Sequence, residues 1–421
     1  MKNLFRNAAL LGASLVALNA AAEGAASQGP VLSFGGSITA AAVGANQKVR
    51  LEGNSPAVTF ISKGNLVMNV GGTSHNGMGY GAVGVLLFDR AKTAQDRIDE
   101  AYIYMNHDCI GNLKIGDTEG VTTTMMYTGD DVLGGLGGTS GDLDKYINMT
   151  RTVGFRPTIG SPTNTKATKI VWVSPELAGF QIGIDFTPST KLYGRQNRGS
   201  YISSSGSLAN MSSTPYSYNL LAGGISYNKA FTNFNIGLYL VGQTGKSKGD
   251  STSQSAAGAG VITRPDASAN HYKDTNGYQV GALFDYQNWQ AAVSYWDNKK
   301  SLMRSNSTIT KSFTNTKGVN AAVGYDFARN ANIAVGYTHA SRKVEGGNSK
   351  ADVAIVTLDY VVAPGWVTFA EVDHFRLRAP SAAINDTASI FQTGEDLYAN
   401  TSTANKGNHG TVFVLGTKLR F

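Results

Sequence analysis

The sequence predicts an all-β protein: a 16-stranded antiparallel transmembrane β-barrel whose third long loop folds inward. Three observations carry this prediction. Apolar and polar residues alternate with a period of two along most of the chain. The connections between these stretches alternate between tight turns and long polar loops. No stretch approaches the roughly 18 consecutive apolar residues of a membrane-spanning helix.

Taken in order, the chain opens on a targeting pattern. Lys2 and Arg6 give a positive start, 8–18 is an apolar run, and Ala20-Ala-Ala22 offers small residues for cleavage. Residues 1–22 are therefore expected to be a signal peptide and 23–421 the barrel. The run is too short to span a bilayer.

Strands are expected near 31–43, 58–74, 78–90, 99–108, 113–118, 167–174, 178–187, 216–228, 233–244, 276–287, 288–298, 317–327, 332–343, 350–362, 366–378 and 409–421. In 178–187, Phe180, Ile182, Ile184 and Phe186 alternate with Gln181, Gly183 and Asp185. In 317–327, Val319, Ala321, Val323 and Tyr325 alternate with Asn320, Ala322, Gly324 and Asp326. This parity puts one set on each face of a strand. Tyr227, Tyr286, Tyr325 and Tyr360 stand at strand ends, as rings do at a membrane interface. The opposite face is small and polar, as a water-filled lumen requires.

Tight turns recur at every second junction from the second strand onward: His75-Asn-Gly77, Cys109-Ile-Gly-Asn112, Pro175-Glu-Leu177, Lys229-Ala-Phe-Thr232, the Gln287/Asn288 corner, Ala328-Arg-Asn-Ala331 and Ala363-Pro-Gly365. Between them lie mostly longer loops: 44–57, 91–98, 119–166, 188–215, 245–275, 299–316, 344–349 and 379–408. Short turns on one rim and long loops on the other are the pattern of outer-membrane barrels. An even strand count puts both termini on the short-turn side. In lipid the sheet has to close, because an open edge leaves backbone groups unpaired. Sixteen strands leave an aqueous channel, where about eight would be filled by side chains.

The third long loop, about 119–166, differs from the others. It is rich in glycine and acid, with Gly134-Gly-Leu-Gly-Gly138 at its centre, yet it keeps Met125, Met126, Tyr127, Val132, Leu133 and Leu136. Such residues are expected to anchor it against an inner wall. The chain ends on an aromatic, Phe421, after a strand in which Phe413, Leu415, Leu419 and Phe421 share one parity and Lys418 and Arg420 the other.

Composition removes other classes. Cys109 is the only cysteine, so no intrachain disulfide forms. The formal charge is +7, or +5 without Lys2 and Arg6, and it is spread along the chain rather than gathered into a nucleic-acid footprint. The six histidines are scattered, with no zinc spacing. Asp373 and His374 lie on opposite faces of their strand, and no nucleophile elbow accompanies them. Gly79-Tyr-Gly-Ala-Val-Gly84 matches a dinucleotide fingerprint by letter but lacks the preceding strand and following helix. The chain does not read as an enzyme.

Four stretches resemble the general porins of Gram-negative bacteria, in particular those of alphaproteobacteria. They are Val31-Leu-Ser-Phe-Gly-Gly-Ser-Ile-Thr-Ala40; Glu100-Ala-Tyr-Ile-Tyr-Met105 with Gly111-Asn-Leu-Lys-Ile-Gly-Asp-Thr-Glu-Gly120; Lys169-Ile-Val-Trp-Val-Ser-Pro-Glu-Leu-Ala-Gly-Phe180; and the ending at Phe421, a C-terminal barrel signal. The resemblance implies a homotrimer in the cell outer membrane, passing small hydrophilic solutes and ions without a cofactor. It also implies an eyelet at loop three, with Glu119, Asp130, Asp131, Asp142 and Asp144 on the acidic side. Arg50, Lys63, Arg90, Lys114, Arg151 and Lys169 are candidates for the basic side. Facing rows of opposite charge set ion preference and orient dipolar solutes. Clustered loop carboxylates could instead hold Ca²⁺, although no EF-hand spacing is present. Two other readings stay open. One is a substrate-selective channel, which needs an aromatic track along the lumen. The other is a barrel adhesin or enzyme acting through its long loops.

Overall fold

The computed structural model describes residues 28–48, 58–88, 98–141, 143–147, 166–190, 216–248, 272–302, 316–344, 347–378 and 407–421. The expected leader falls outside them, as do most of the long loops and Arg50, Arg90, Asp142 and Arg151.

Sixteen strands are present among the described residues: β1 (Gln28–Gln47), β2 (Val58–Thr73), β3 (Gly79–Leu87), β4 (Ile98–His107), β5 (Gly111–Glu119), β6 (Lys166–Val173), β7 (Phe180–Ser189), β8 (Tyr216–Ala230), β9 (Phe234–Lys248), β10 (Thr275–Tyr286), β11 (Trp289–Asp297), β12 (Thr316–Ala328), β13 (Ala331–Val344), β14 (Gly347–Ala363), β15 (Trp366–Arg378) and β16 (Gly407–Arg420). Each pairs antiparallel with its sequence neighbours, and β1 pairs with β16 to close the barrel. The last residue completes the seam. Gly36 N–H donates to the Phe421 carbonyl at 2.9 Å, and Phe421 N–H donates to the Gly36 carbonyl at 3.1 Å.

Several observed strands, β1, β9, β14 and β16 among them, run farther toward the long-loop rim than the alternation predicts. β9 continues to Lys248, where Lys246, Ser247 and Lys248 pair with Tyr218, Ser217 and Tyr216. Those residues are polar on both faces, so periodicity in hydropathy stops before backbone pairing does. On the other rim the turns are tight. Tyr286 pairs directly with Trp289, leaving Gln287 and Asn288 as a two-residue turn, with Gln287 at φ +53°. Gly365 sits at φ +82°, and a Cβ there would lie 2.5 Å from the Arg420 carbonyl oxygen. Only glycine fits that corner.

The two faces separate as the parity requires. Ile182 and Ile184 on β7 are half-exposed on the outside, while Asp185 and Thr187 are buried on the inside. Aromatic pairs ring the short-turn rim on the outer face. Phe180 stacks near Tyr227 at 4.7 Å, Phe234 near Phe284 at 5.7 Å, and Trp289 near Tyr325 at 4.5 Å. Buried apolar residues therefore lie inside the barrel, most of them where loop three covers its wall.

Candidate pore constriction

Loop three leaves β5 at Glu119 and turns inward at once. A single helical turn, α1 (Val121–Thr124), follows Gly120. Its first N–H, on Val121, donates to Asp185 Oδ2 of β7 at 2.7 Å. Val121 and Met125 then bury themselves with Val171 of β6 and with Tyr239 and Val241 of β9. The wall is thin here by design of sequence. A Cβ on Gly183 or Gly224 would collide with Met125 and Val121. Tyr127 packs edge-on to Tyr239 at 5.9 Å and donates its hydroxyl to Asn228 Oδ1 at 2.9 Å. Burial raises the Tyr127 phenol above its usual range, so it donates as a neutral group.

The chain then makes a 3-10 turn at Gly129–Asp131. Asp131 closes a capping box, accepting from Thr128 N–H at 2.7 Å and from the Thr128 hydroxyl at 3.0 Å. Asp130 instead faces the wall, where Asn320 Nδ2 of β12 donates to it at 3.1 Å. Val132, Leu133 and Leu136 join one buried cluster with Ala322, Ala334, Ile355 and Phe369 on the wall. Here too the wall makes room: Gly324 and Gly336 lie beneath Val132 and Leu133.

The glycine run is the tightest contact. Three successive backbone N–H groups donate to three inward side chains. Gly134 donates to Thr357 Oγ1 at 3.1 Å, Gly135 to Asp359 Oδ1 at 3.0 Å and Leu136 to Glu371 Oε2 at 2.6 Å. Gly135, Gly137 and Gly138 all have positive φ. A side chain at Gly134 or Gly135 would occupy the space held by Asp359 or Glu371. Backbone amides presented this way form a concave anion seat. In this barrel the anions are its own wall carboxylates. Farther on, Thr139 hydrogen-bonds Thr338 at 2.8 Å. α2 (Leu143–Tyr146) brings the loop to β1, where Gln47 Nε2 donates to the Tyr146 carbonyl at 3.2 Å.

The expected acids thus take different places. Glu119 pairs across β5 and β6 with Lys166 at 3.7 Å, in a cluster that includes Asp99 and Glu100. Asp130 and Asp131 are engaged as described above. Asp144 falls in α2, and its side chain, like Asp142, is outside the described residues.

Of the expected bases, three are described, all on the inward parity. Lys114 Nζ sits 5.3 Å above the Tyr102 ring, and Lys169 is buried beside Asp185 at the loop root. Lys63 lies across the barrel seam. It pairs with Thr39 of β1, which pairs in turn with Lys418 of β16, so Lys63, Thr39 and Lys418 form one inward row. Lys418 Nζ reaches the Gly135 carbonyl at 3.4 Å. Arg420 stands two residues along on the same face.

Sequence reasoning missed the wall carboxylates Asp185, Asp359, Glu371 and Asp373, and the bases Lys418 and Arg420. Their inward parity was readable; which of them meets loop three was not. Trp296 and Tyr239, both inward, are buried by packing and do not line a solute track.

Comparison with known proteins agrees with this fold. A family model described as Gram-negative porin matches residues 9–380. An uncharacterised protein of Rickettsia prowazekii is 25% identical over 378 residues, covering 79% of this chain and 78% of that one. An uncharacterised protein of Rickettsia typhi is 27% identical over 278 residues, covering 61% of this chain and 57% of its own. Among solved structures, a Salmonella typhi OmpF complex with daunomycin covers 93% of this chain and 98% of its own, at 12% identity and a TM-score of 0.53. The channel DcaP of Acinetobacter baumannii gives the same coverage, identity and score. A mutant Rh. blastica porin covers 93% of this chain and 100% of its own, at 10% identity and a TM-score of 0.51. At these identities the structural matches speak for the fold.

Proposed function

This chain belongs to the Gram-negative porin family and is an outer-membrane diffusion channel; from that premise we propose that loop three sets its bore and its charge preference. The observation that carries the reading is the ladder from Gly134, Gly135 and Leu136 to Thr357, Asp359 and Glu371. It holds a loop inside the barrel, beside the seam row of Lys63 and Lys418, whose Lys418 Nζ reaches the Gly135 carbonyl. A solute that passes the barrel moves past the loop, the carboxylates that hold it and that basic row. Charge sets of opposite sign in a confined lumen orient dipolar solutes and bias ion flow. The process is passive: water fills the path and no bond is made or broken.

Residues 1–22 serve as the export signal in this reading, and three copies assemble in the membrane as the family does. Small hydrophilic solutes and ions are the cargo. The family and fold are those of channels rather than enzymes. A substrate-selective channel gains no support from the lumen, because Trp296 and Tyr239 are covered.

Reversal potentials across a planar bilayer in a salt gradient test the charge assignment. Lys63→Glu with Lys418→Glu shifts the preference toward cations. Reversing Asp130, Asp131, Asp142 and Asp144 shifts it toward anions. Reversal potentials identical to the parent's in both variants would overturn the assignment.

A further inference from the structure

The inner face of the barrel seam gathers more donors than the basic row alone. Two inward rows cross it. One runs from Lys418 of β16 through Thr39 of β1 to Lys63 of β2. The next, toward the short turns, runs from Arg420 through Ser37 to Asn65. Strands lie about 4.8 Å apart and alternate residues about 7 Å, so Lys63, Asn65, Lys418 and Arg420 rise from a patch of about 10 Å by 7 Å. All four are partly exposed, so solvent reaches them.

Asn65 is fixed as a donor. Its Oδ1 accepts from the Ser37 N–H at 3.0 Å and from the Ser37 hydroxyl at 2.8 Å. A backbone N–H only donates, so the atom it meets has to be the amide oxygen. The Nδ2 group is left to meet a ligand, and it has no hydrogen-bond partner among the described residues. The Arg420 guanidinium has no hydrogen-bond or ion-pair partner among them either. Lys418 reaches the Gly135 carbonyl, at a long 3.4 Å.

The acids nearby are committed elsewhere. Asp359 and Glu371 act on Lys418 through space, and both accept from loop three, at Gly135 and Leu136. Lys63 and Arg420 act on Lys418 as like charges. Three cations are therefore held within mutual repulsion beside an amide that offers only N–H. Neither row carries an acid across β16, β1 and β2.

A tetrahedral dianion answers all of these groups. The guanidinium fork takes two of its oxygens, and the ammonium groups and the Asn65 amide take the others. A carboxylate brings two oxygens and one charge, too few for four donors. We propose that the inner face of the seam is a binding site for inorganic phosphate, held by Arg420, Lys418, Lys63 and Asn65 on the short-turn side of loop three's glycine run. The site rests on the reading of Lys63 and Lys418 as lumen charge, and not on the role given to loop three.

Single-channel recording of the full purified chain in potassium chloride tests it. Phosphate is added at about pH 8, above its second ionisation, with acetate at matched ionic strength as the comparison. In the parent, phosphate should lower the chloride current saturably and acetate should not. Arg420→Gln and Asn65→Ala should each raise the half-effect concentration about tenfold, the scale of one charge-assisted hydrogen bond. Arg329→Gln removes an exposed charge from the turn between β12 and β13 on the same rim, and should keep the parent's value. Channel steps in chloride show that each variant is folded. A phosphate effect in the parent no larger than that of acetate overturns the proposal, as does a half-effect concentration that Arg420→Gln and Asn65→Ala leave unchanged. Reversal potentials of the Lys63/Lys418 variant separate the two readings. A shift there without phosphate inhibition in the parent overturns this site alone; no shift and no inhibition overturn both.

Discussion

Replacing Gly135 by Ala should loosen loop three without harming the barrel. Gly135 sits at φ +61°, where an L side chain costs about 1–2 kcal/mol. Its Cβ would fall 3.1 Å from Glu371 Cβ and 3.2 Å from Cδ, so the carboxylate has to move. Moving it breaks the 2.6 Å bond from Leu136 N–H, a charge-assisted bond of about 1.5–3 kcal/mol. The sum is about 2.5–5 kcal/mol against docking. Among what remains in favour, beside the Gly134 and Asp130 hydrogen bonds to the wall, Leu133 and Leu136 are each 8% exposed and contribute about 1.5–3 kcal/mol apiece. The two sides are comparable, so the segment should exchange between docked and released states rather than leave the wall outright. Single-channel recording reads this as higher open-channel noise and a higher mean conductance. Barrel stability should be unchanged, because Gly135 takes part in no strand pair. Gly137→Ala is the control. It has φ +106° but meets only Gly141 Cα at 3.9 Å, so it adds backbone strain without collision. Traces for Gly135→Ala that match the parent, or that match Gly137→Ala, would refute the reasoning.

Three further outcomes follow from the same contacts. Trp296 is fully buried within the cluster that joins loop and wall, so Trp296→Ala should reduce the free energy of unfolding by about 3–5 kcal/mol in urea titrations of the liposome-inserted protein; a change below 1 kcal/mol, on the order of an exposed substitution, would contradict that packing. Deleting Phe421 removes both backbone bonds to Gly36 at the seam, and the yield of folded barrel from refolding into detergent should fall; an unchanged yield would show that the seam closes without it. A calcium chelator should leave conductance unchanged, because Asn320 and Thr128 already engage Asp130 and Asp131; a chelator-dependent change that calcium restores would mark an ion at the loop.

The strands were legible because one physical rule governs them: a wall with lipid outside and water inside demands a period of two. The turns were legible for a related reason, since a two-residue corner such as Gln287-Asn288 leaves the flanking alternation intact. Loop three was half legible. Met125, Tyr127, Leu133 and Leu136 stand out as too apolar for a solvent loop, and they are its wall contacts. Their partners were not legible. Parity says that Asp359, Glu371 and Lys418 point inward. Height around a closed barrel depends on the stagger of all sixteen strands, and no local pattern encodes it. The loop acids show a second limit. A carboxylate in a 3-10 turn has backbone and hydroxyl donors within reach, and Asp131 uses the donors of Thr128. Composition alone does not distinguish that cap from a charge presented to a solute.

Swelling of proteoliposomes in uncharged sugars of graded size tests the channel most directly. The purified chain should admit the smaller sugars, with rates that fall steadily as size rises, and Gly135→Ala should move the cut-off upward. Folded protein that gives no swelling with any sugar would contradict the account.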